Sequence, residues 1–245
     1  MRTDRLPALR NLLTRVSTRH PNLVEVFEFY YSLLEVCYAA TPDDLSPWIG
    51  SPGDFPRLDL RALEIGRLPH TGETYNKILK VASDSRRREI GSELALKWAL
   101  KPSFMVLREG RDLFPPKGEE NRLQCFVCGG APGFAELHPE GGRRLFCGFC
   151  GSGWPVEETV CLACGDRDRA HKGFFVGDDG GRFGYRAETC EVCRTYLKTA
   201  HRKVQKEIVE DVDVEDIITL PLDLLADSRG FRSLSRHGTC PDGVI

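Results

Sequence analysis

The chain has 245 residues, 41% of them hydrophobic and 29% charged, with a formal net charge of −2. That length accommodates one or two ordinary domains. The absence of a basic excess argues against a dedicated nucleic-acid binder, and no apolar run approaches the roughly 20 residues needed to cross a bilayer.

The N-terminal stretch MRTDRLPALRNLLTR places Asp4 and Pro7 where a secretory signal would need an unbroken apolar core. The expected compartment is therefore the cytoplasm, whose reducing conditions keep thiols free for metal. From Pro21 to Ala40, residues Leu23, Val26, Phe27, Tyr30, Leu33, Leu34 and Cys37 recur at three- and four-residue steps. This spacing predicts an amphipathic helix with Pro21 in its first turn, where a missing N–H costs nothing. Cys37 continues the apolar stripe and reads as a small core residue.

Residues 41–70 are rich in Pro, Gly and Asp and read as loop with short helices. Further helices are expected from Gly72 or Thr74 to Ser83, from Arg86 to Leu100, and over Ser103 to Phe114. Pro102 stops the second of these, because proline disfavours helix at the residue before it. No nucleophile signature frames the Ser, His and Asp residues of this half, so it is not expected to be an enzyme. The basic runs Arg86-Arg87-Arg88 and His201-Arg202-Lys203 read as solvated faces. Pro115-Pro116-Lys117-Gly118-Glu119-Glu120-Asn121 is polar, stiff and glycine-broken, as linkers tend to be.

Beyond this linker the composition changes. Eight of the ten cysteines fall between 125 and 193, as four Cys-x2-Cys pairs: Cys125/Cys128, Cys147/Cys150, Cys161/Cys164 and Cys190/Cys193. A tetrahedral sulfur site takes four thiolates, so four pairs imply two sites. Such short segments cannot bury a large apolar core, and a metal is the expected staple. Three pairs are followed by glycine, at Gly129, Gly151 and Gly165. That residue allows the left-handed backbone needed to turn amide N–H groups toward the sulfurs. The fourth pair has Arg194 there, which predicts a strained turn or a guanidinium that neutralises thiolate charge.

The pairs repeat in order. A strand near Phe134–Leu137, a turn at 139–142 and a return strand from Arg143 join the first pair to the second. Phe174-Phe175-Val176, an Asp-Gly turn at 177–181 and a strand near Phe183–Ala187 join the third to the fourth. A strand over Trp154–Val160 links the units, another follows at Thr195–Ala200, and a helix broken by Pro221 spans Val214–Ala226. Sequential pairing assigns Cys125, Cys128, Cys147 and Cys150 to one ion and Cys161, Cys164, Cys190 and Cys193 to the other; an interleaved arrangement would abandon the repeat. Spacing leaves Zn(II) and a single iron of the rubredoxin type both open. Neither His138 nor His171 is needed as a ligand, Cys240 has no nearby partner, and thiol–disulfide catalysis does not suit four glycine-turned knuckles.

The fold class expected is α+β: a helical N-terminal domain (1–120), then two tandem rubredoxin-like or zinc-ribbon β modules (121–155 and 156–245), the second carrying a C-terminal helix and tail. The runs CFVCGGAPGF, LFCGFCGSGWPVEETVCLACG and RAETCEVCRTYLKT, with the closing DIITLPLDLLADSRGFRS, resemble the formate dehydrogenase accessory (FdhE-type) proteins over roughly Gln124 to Phe231. The resemblance implies a cytoplasmic accessory protein with two rubredoxin-like sites able to hold iron. It further implies that the partner is the catalytic subunit of respiratory formate dehydrogenase, which is matured before export. Nucleic acid and membrane are not expected partners. A rubredoxin-like electron carrier and a zinc-ribbon nucleic-acid module are the alternative functions.

Overall fold

The structure is a computed structural model. It describes residues 5–39, 124–126, 130–156, 160–177, 184–204 and 211–236, of which Arg5 and residues 36–39 are described by backbone alone. The helices expected between Gly72 and Phe114, the linker, Cys128 and Cys240 lie outside these residues. Two compact units divide the chain, Met1–Asp112 and Leu113–Ile245.

In the first unit, α1 (Arg5–Arg19), a 3-10 turn (Pro21–Leu23) and α2 (Val24–Ala39) follow one another. The stripe predicted for α2 is buried at Phe27, Tyr30, Leu33 and Leu34. The helix α1 was not anticipated, yet Leu9, Leu13 and Val16 recur at helical steps and are buried. Pro7 falls in its first turn, where proline is tolerated. Arg10 ties the two helices, lying 4.5 Å over the Tyr31 ring and 3.9 Å from the Glu28 carboxylate.

Among the described residues the second unit has seven strands: β1 (Pro132–Leu137), β2 (Arg143–Cys147), β3 (Gly153–Val156), β4 (Lys172–Phe175), β5 (Tyr185–Cys190), β6 (Thr195–His201) and β7 (Arg232–Ser233). They form one mixed sheet in the order β3-β2-β1-β6-β5-β4, with β7 also on β6. Each Cys-x2-Cys unit supplies an antiparallel pair, β1 with β2 and β4 with β5. The seam between them is parallel, Phe134 of β1 opposite Lys198 of β6. Strand β6 is antiparallel to β5 along Thr195–Ala200. It pairs with β7 at Thr195–Tyr196 and with β1 from Lys198 onward. The two hairpin units thus share one sheet through β6.

Alternation sorts the side chains by face. Tyr196, Lys198 and Ala200 face two helices, α3 (Val212–Ile218) and α4 (Leu220–Ser228). Asp211 caps α3 by accepting from the Asp213 and Val214 amides. Pro221 sits in the first turn of α4, so the chain breaks at Thr219 and resumes, as the sequence predicts. Ala187, Tyr196, Leu222, Ala226 and Phe231 form the apolar contact.

Charged groups lock the helices to the sheet. Glu215 is 1% exposed, accepts from the Tyr185 hydroxyl at 3.0 Å and from Arg202 at 2.6 Å, while Arg202 also holds Glu136 at 2.9 Å. The expectation that His201-Arg202-Lys203 forms a solvated face fails at Arg202. Two carboxylates, contributed by β1 and α3, make burial of this guanidinium tolerable. Beside it, Lys198 bonds Asp216 and Asp223 at 2.7 and 2.6 Å.

Candidate metal centre

Cys161 and Cys164 lie on the loop before the 3-10 turn Arg169–His171, and Cys190 and Cys193 lie at the β5–β6 turn. Because β4 pairs with β5 from Lys172 opposite Cys190, the hairpin carries both ends to one place. All four sulfurs lie within 4.8 Å of one another, Cys161 with Cys193 at 3.6 Å and Cys164 with Cys190 at 3.8 Å. A tetrahedron with metal–sulfur bonds of about 2.3 Å has edges of about 3.8 Å. A disulfide would need about 2.05 Å, and these cysteines are free. The donor set therefore fits a divalent or trivalent ion. Cys125, Cys147 and Cys150, earlier in the chain, form a group by the same measure and are the first group in sequence, with Cys125 and Cys150 at 3.5 Å. Both groups combine sulfurs in sequential order.

The knuckles repeat at atomic detail. In three of them the amide after the second cysteine donates to the first cysteine's carbonyl, at 3.1 Å from Gly151, 2.9 Å from Gly165 and 2.9 Å from Arg194. All three residues have positive φ: 70°, 72° and 57°. The Phe149 amide adds a bond to Cys147 Sγ at 3.4 Å. Arg194 thus adopts the glycine conformation, which is the strained turn the sequence predicts. Its guanidinium, however, serves no thiolate. It pairs with Glu191, donates to the Arg229 carbonyl at 2.6 Å and lies 3.7 Å over the Phe231 ring.

The cation beside the sulfurs is Lys172 instead. Its Nζ is 3.9 Å from Cys190 Sγ and is held by Asp166, which also accepts from His171 Nδ1 at 3.3 Å. The Lys172 bond holds the Asp166 carboxyl below the usual carboxylate range. Burial alone would lower the Lys172 ammonium, but Asp166 and the neighbouring sulfurs raise it. Burial pushes the Cys164 thiol up, and Cys161 and Cys193 beside it add to the effect. A bound cation would offset that penalty and let the crowded sulfurs act as thiolates.

Sequence reasoning missed Ser152 and Thr195. Each sits two residues after the second cysteine of its knuckle, with its hydroxyl 3.2 Å from Cys150 Sγ and 3.0 Å from Cys193 Sγ. The signal was present as Cys-Gly-Ser and Cys-Arg-Thr at matching offsets. His138 is exposed and pairs with Glu136 at 3.0 Å, away from either group.

The family described as FdhE, C-terminal domain, matches residues 160–239, a span that holds all four cysteines of the second group. Over this span the chain is similar to FdhE proteins. Protein FdhE homologs from Aquifex aeolicus (strain VF5) and Serratia proteamaculans (strain 568) are 29% and 31% identical to it. These matches run over 46% and 58% of this chain and 40% and 47% of theirs. Protein FdhE of Escherichia coli O1:K1 / APEC is 28% identical over 58% of this chain and 44% of its own length. The chain thus spans about half the length of these FdhE relatives. A structure titled the crystal structure of the FdhE protein from Pseudomonas aeruginosa shares the fold, with a TM-score of 0.61 at 19% identity, covering 99% of this chain and 98% of that one.

Proposed function

We propose that this protein is a cytoplasmic accessory factor that binds the catalytic subunit of a formate dehydrogenase and assists its maturation, without turnover of its own. Its two four-cysteine sites are Cys125, Cys128, Cys147 and Cys150, and Cys161, Cys164, Cys190 and Cys193. The observation that carries this reading is the four-sulfur group at Cys161, Cys164, Cys190 and Cys193, which falls wholly inside the segment matching the FdhE C-terminal domain. Among the described residues no helix is long and apolar enough to cross a membrane.

The chain's own residues hold the metal rather than expose it as a catalyst. Cys161, Cys164, Cys190 and Cys193 would supply four sulfur donors to a bound ion, the ligand set of a closed structural site. When bound, iron would supply a one-electron couple and zinc a purely structural link; the family resemblance favours iron. Lys172 and Thr195 lie where they can take up thiolate charge, and the two hairpins fix the rest of the sheet on which α3 and α4 pack.

Co-purification tests the partner. The tagged chain, expressed with a formate dehydrogenase catalytic subunit, retains that subunit through washing. Failure to retain it with all eight cysteines intact would remove the accessory reading. Metal analysis after anaerobic purification is expected to find iron, and two zinc ions with no iron would eliminate any redox role.

A further inference from the structure

The two sulfur groups differ in their surroundings. Cys125, Cys147 and Cys150 are all buried, whereas Cys164 and Cys193 are only half-buried. A cavity of about 200 Å³ also reaches the second group, with Cys161 and Cys190 both in its wall. Arg143, Arg186 and Lys172 line it, with Glu188 as the carboxylate between the two guanidiniums, 2.7 Å from Arg143 and 2.6 Å from Arg186. Arg143 is buried, yet its Nε–H has no hydrogen-bond partner among the described residues. Phe174, also in the wall, is 59% exposed, and Arg186 lies 5.2 Å over its ring. The wall is therefore rich in donors, carries more cations than carboxylates, and opens beside an exposed aromatic.

We infer that this cavity is a port through which small anionic chelating ligands reach an ion held by Cys161, Cys164, Cys190 and Cys193. The second site exchanges its metal by this route while the first retains its own. Two physical effects act together. Cations in a low-dielectric cleft raise the local concentration of anions. Lys172, hydrogen-bonded to Cys190 Sγ, draws charge from that thiolate and weakens it as a donor. Exchange replaces a cysteine–metal bond with a bond to the incoming anion, and the freed thiolate takes a proton from water. The three described sulfurs of the first group are all buried.

The inference rests on the reading that both groups hold metal, and the test separates the two. The full-length chain is loaded with zinc and mixed with excess pyridylazoresorcinol, an anionic dye whose absorbance reports released metal. Release is expected in two phases of equal amplitude. Cys164→Ser removes the fast phase and leaves the slow one. Arg186→Gln, at a side chain that is only partly buried, slows the fast phase about threefold by removing one steering charge and leaves the slow phase alone. A single phase for both ions overturns the port, as does loss of the slow phase in Cys164→Ser or an unchanged fast phase in Arg186→Gln. A chain that takes up no zinc overturns the metal-holding reading itself, and the port with it.

Discussion

Arg194 is the one non-glycine residue with positive φ among the described residues, and replacing it separates backbone strain from side-chain contact. Holding an L-residue in the left-handed region costs about 1–2 kcal/mol. Against this stand three contacts: an exposed pair with Glu191, a bond to the Arg229 carbonyl, and the approach to Phe231. An exposed ion pair contributes about 0.5 kcal/mol, the carbonyl bond about 1 kcal/mol and the cation–π contact about 0.5–1 kcal/mol. The side chain thus contributes about 2–2.5 kcal/mol by these values. Arg194→Ala keeps the strain and loses the contacts, so it should destabilise by that full amount. Arg194→Gly loses the contacts and the strain together, so its cost should be about 0–1.5 kcal/mol. Urea unfolding of the metal-loaded chain, followed by tryptophan fluorescence, gives the ordering wild type, then glycine, then alanine. A glycine variant more stable than wild type would show that the side chain contributes less than the strain. Equal glycine and alanine variants would show that the positive φ costs nothing.

The remaining predictions concern other elements of the second unit. A Cβ at Gly133 would lie 2.6 Å from the Gly148 backbone, where neither side can yield, so Gly133→Ala should cost about 1–3 kcal/mol by overpacking and loosen the second knuckle; thermal unfolding measures it. At Gly165 a Cβ meets nothing within 4 Å, so Gly165→Ala should cost only the roughly 1–2 kcal/mol of positive φ and leave zinc stoichiometry unchanged. Glu215→Ala leaves the buried Arg202 guanidinium with Glu136 as its remaining carboxylate and should cost about 1.5–3 kcal/mol for the lost charged hydrogen bonds, whereas Tyr185→Phe removes a single hydrogen bond and should cost about 1 kcal/mol; denaturant midpoints distinguish them. Thr195→Ala deletes the hydroxyl beside Cys193 and should weaken metal retention about tenfold or more, read by competition with a chelator.

The cysteine framework was legible because its determinants are local. Two-residue spacing, a glycine at positive φ and a hairpin of matching arm length suffice to place Cys161, Cys164, Cys190 and Cys193 together, and none of these depends on distant residues. The break at Pro221 was readable for the same reason. What escaped was non-local. Nothing in His201-Arg202-Lys203 says that Glu136 and Glu215, 66 and 13 residues away, close on the middle residue. Nothing local to Lys172 marks it before β4 sets it opposite Cys190. Helix α1 is legible too, in the spacing of Leu9, Leu13 and Val16, although Pro7 stands in its first turn.

The placement of β6 explains how small metal hairpins come to belong to a larger folding unit. A two-stranded hairpin is marginal in water, and three or more strands with a covered face are needed for stability. Here neither hairpin is left alone, since β6 takes β5 on one edge and divides the other between β7 and β1. The same strand carries Tyr196 and Lys198 to α4 and begins two residues after Cys193. The fourth knuckle is therefore continuous with the strand that holds both hairpins and the closing helices. Arg194 reinforces that continuity from its own turn by accepting from the Arg232 amide through its carbonyl and reaching Arg229 with its guanidinium. Loss of metal at Cys190 and Cys193 should accordingly loosen β6, β7 and α4 together. Loss at Cys147 and Cys150 should act first on β2 and β3, which lie on the far side of β1. Amide exchange on chains lacking one site or the other distinguishes these patterns, and uniform loosening in both would show that the sheet does not transmit the knuckles separately.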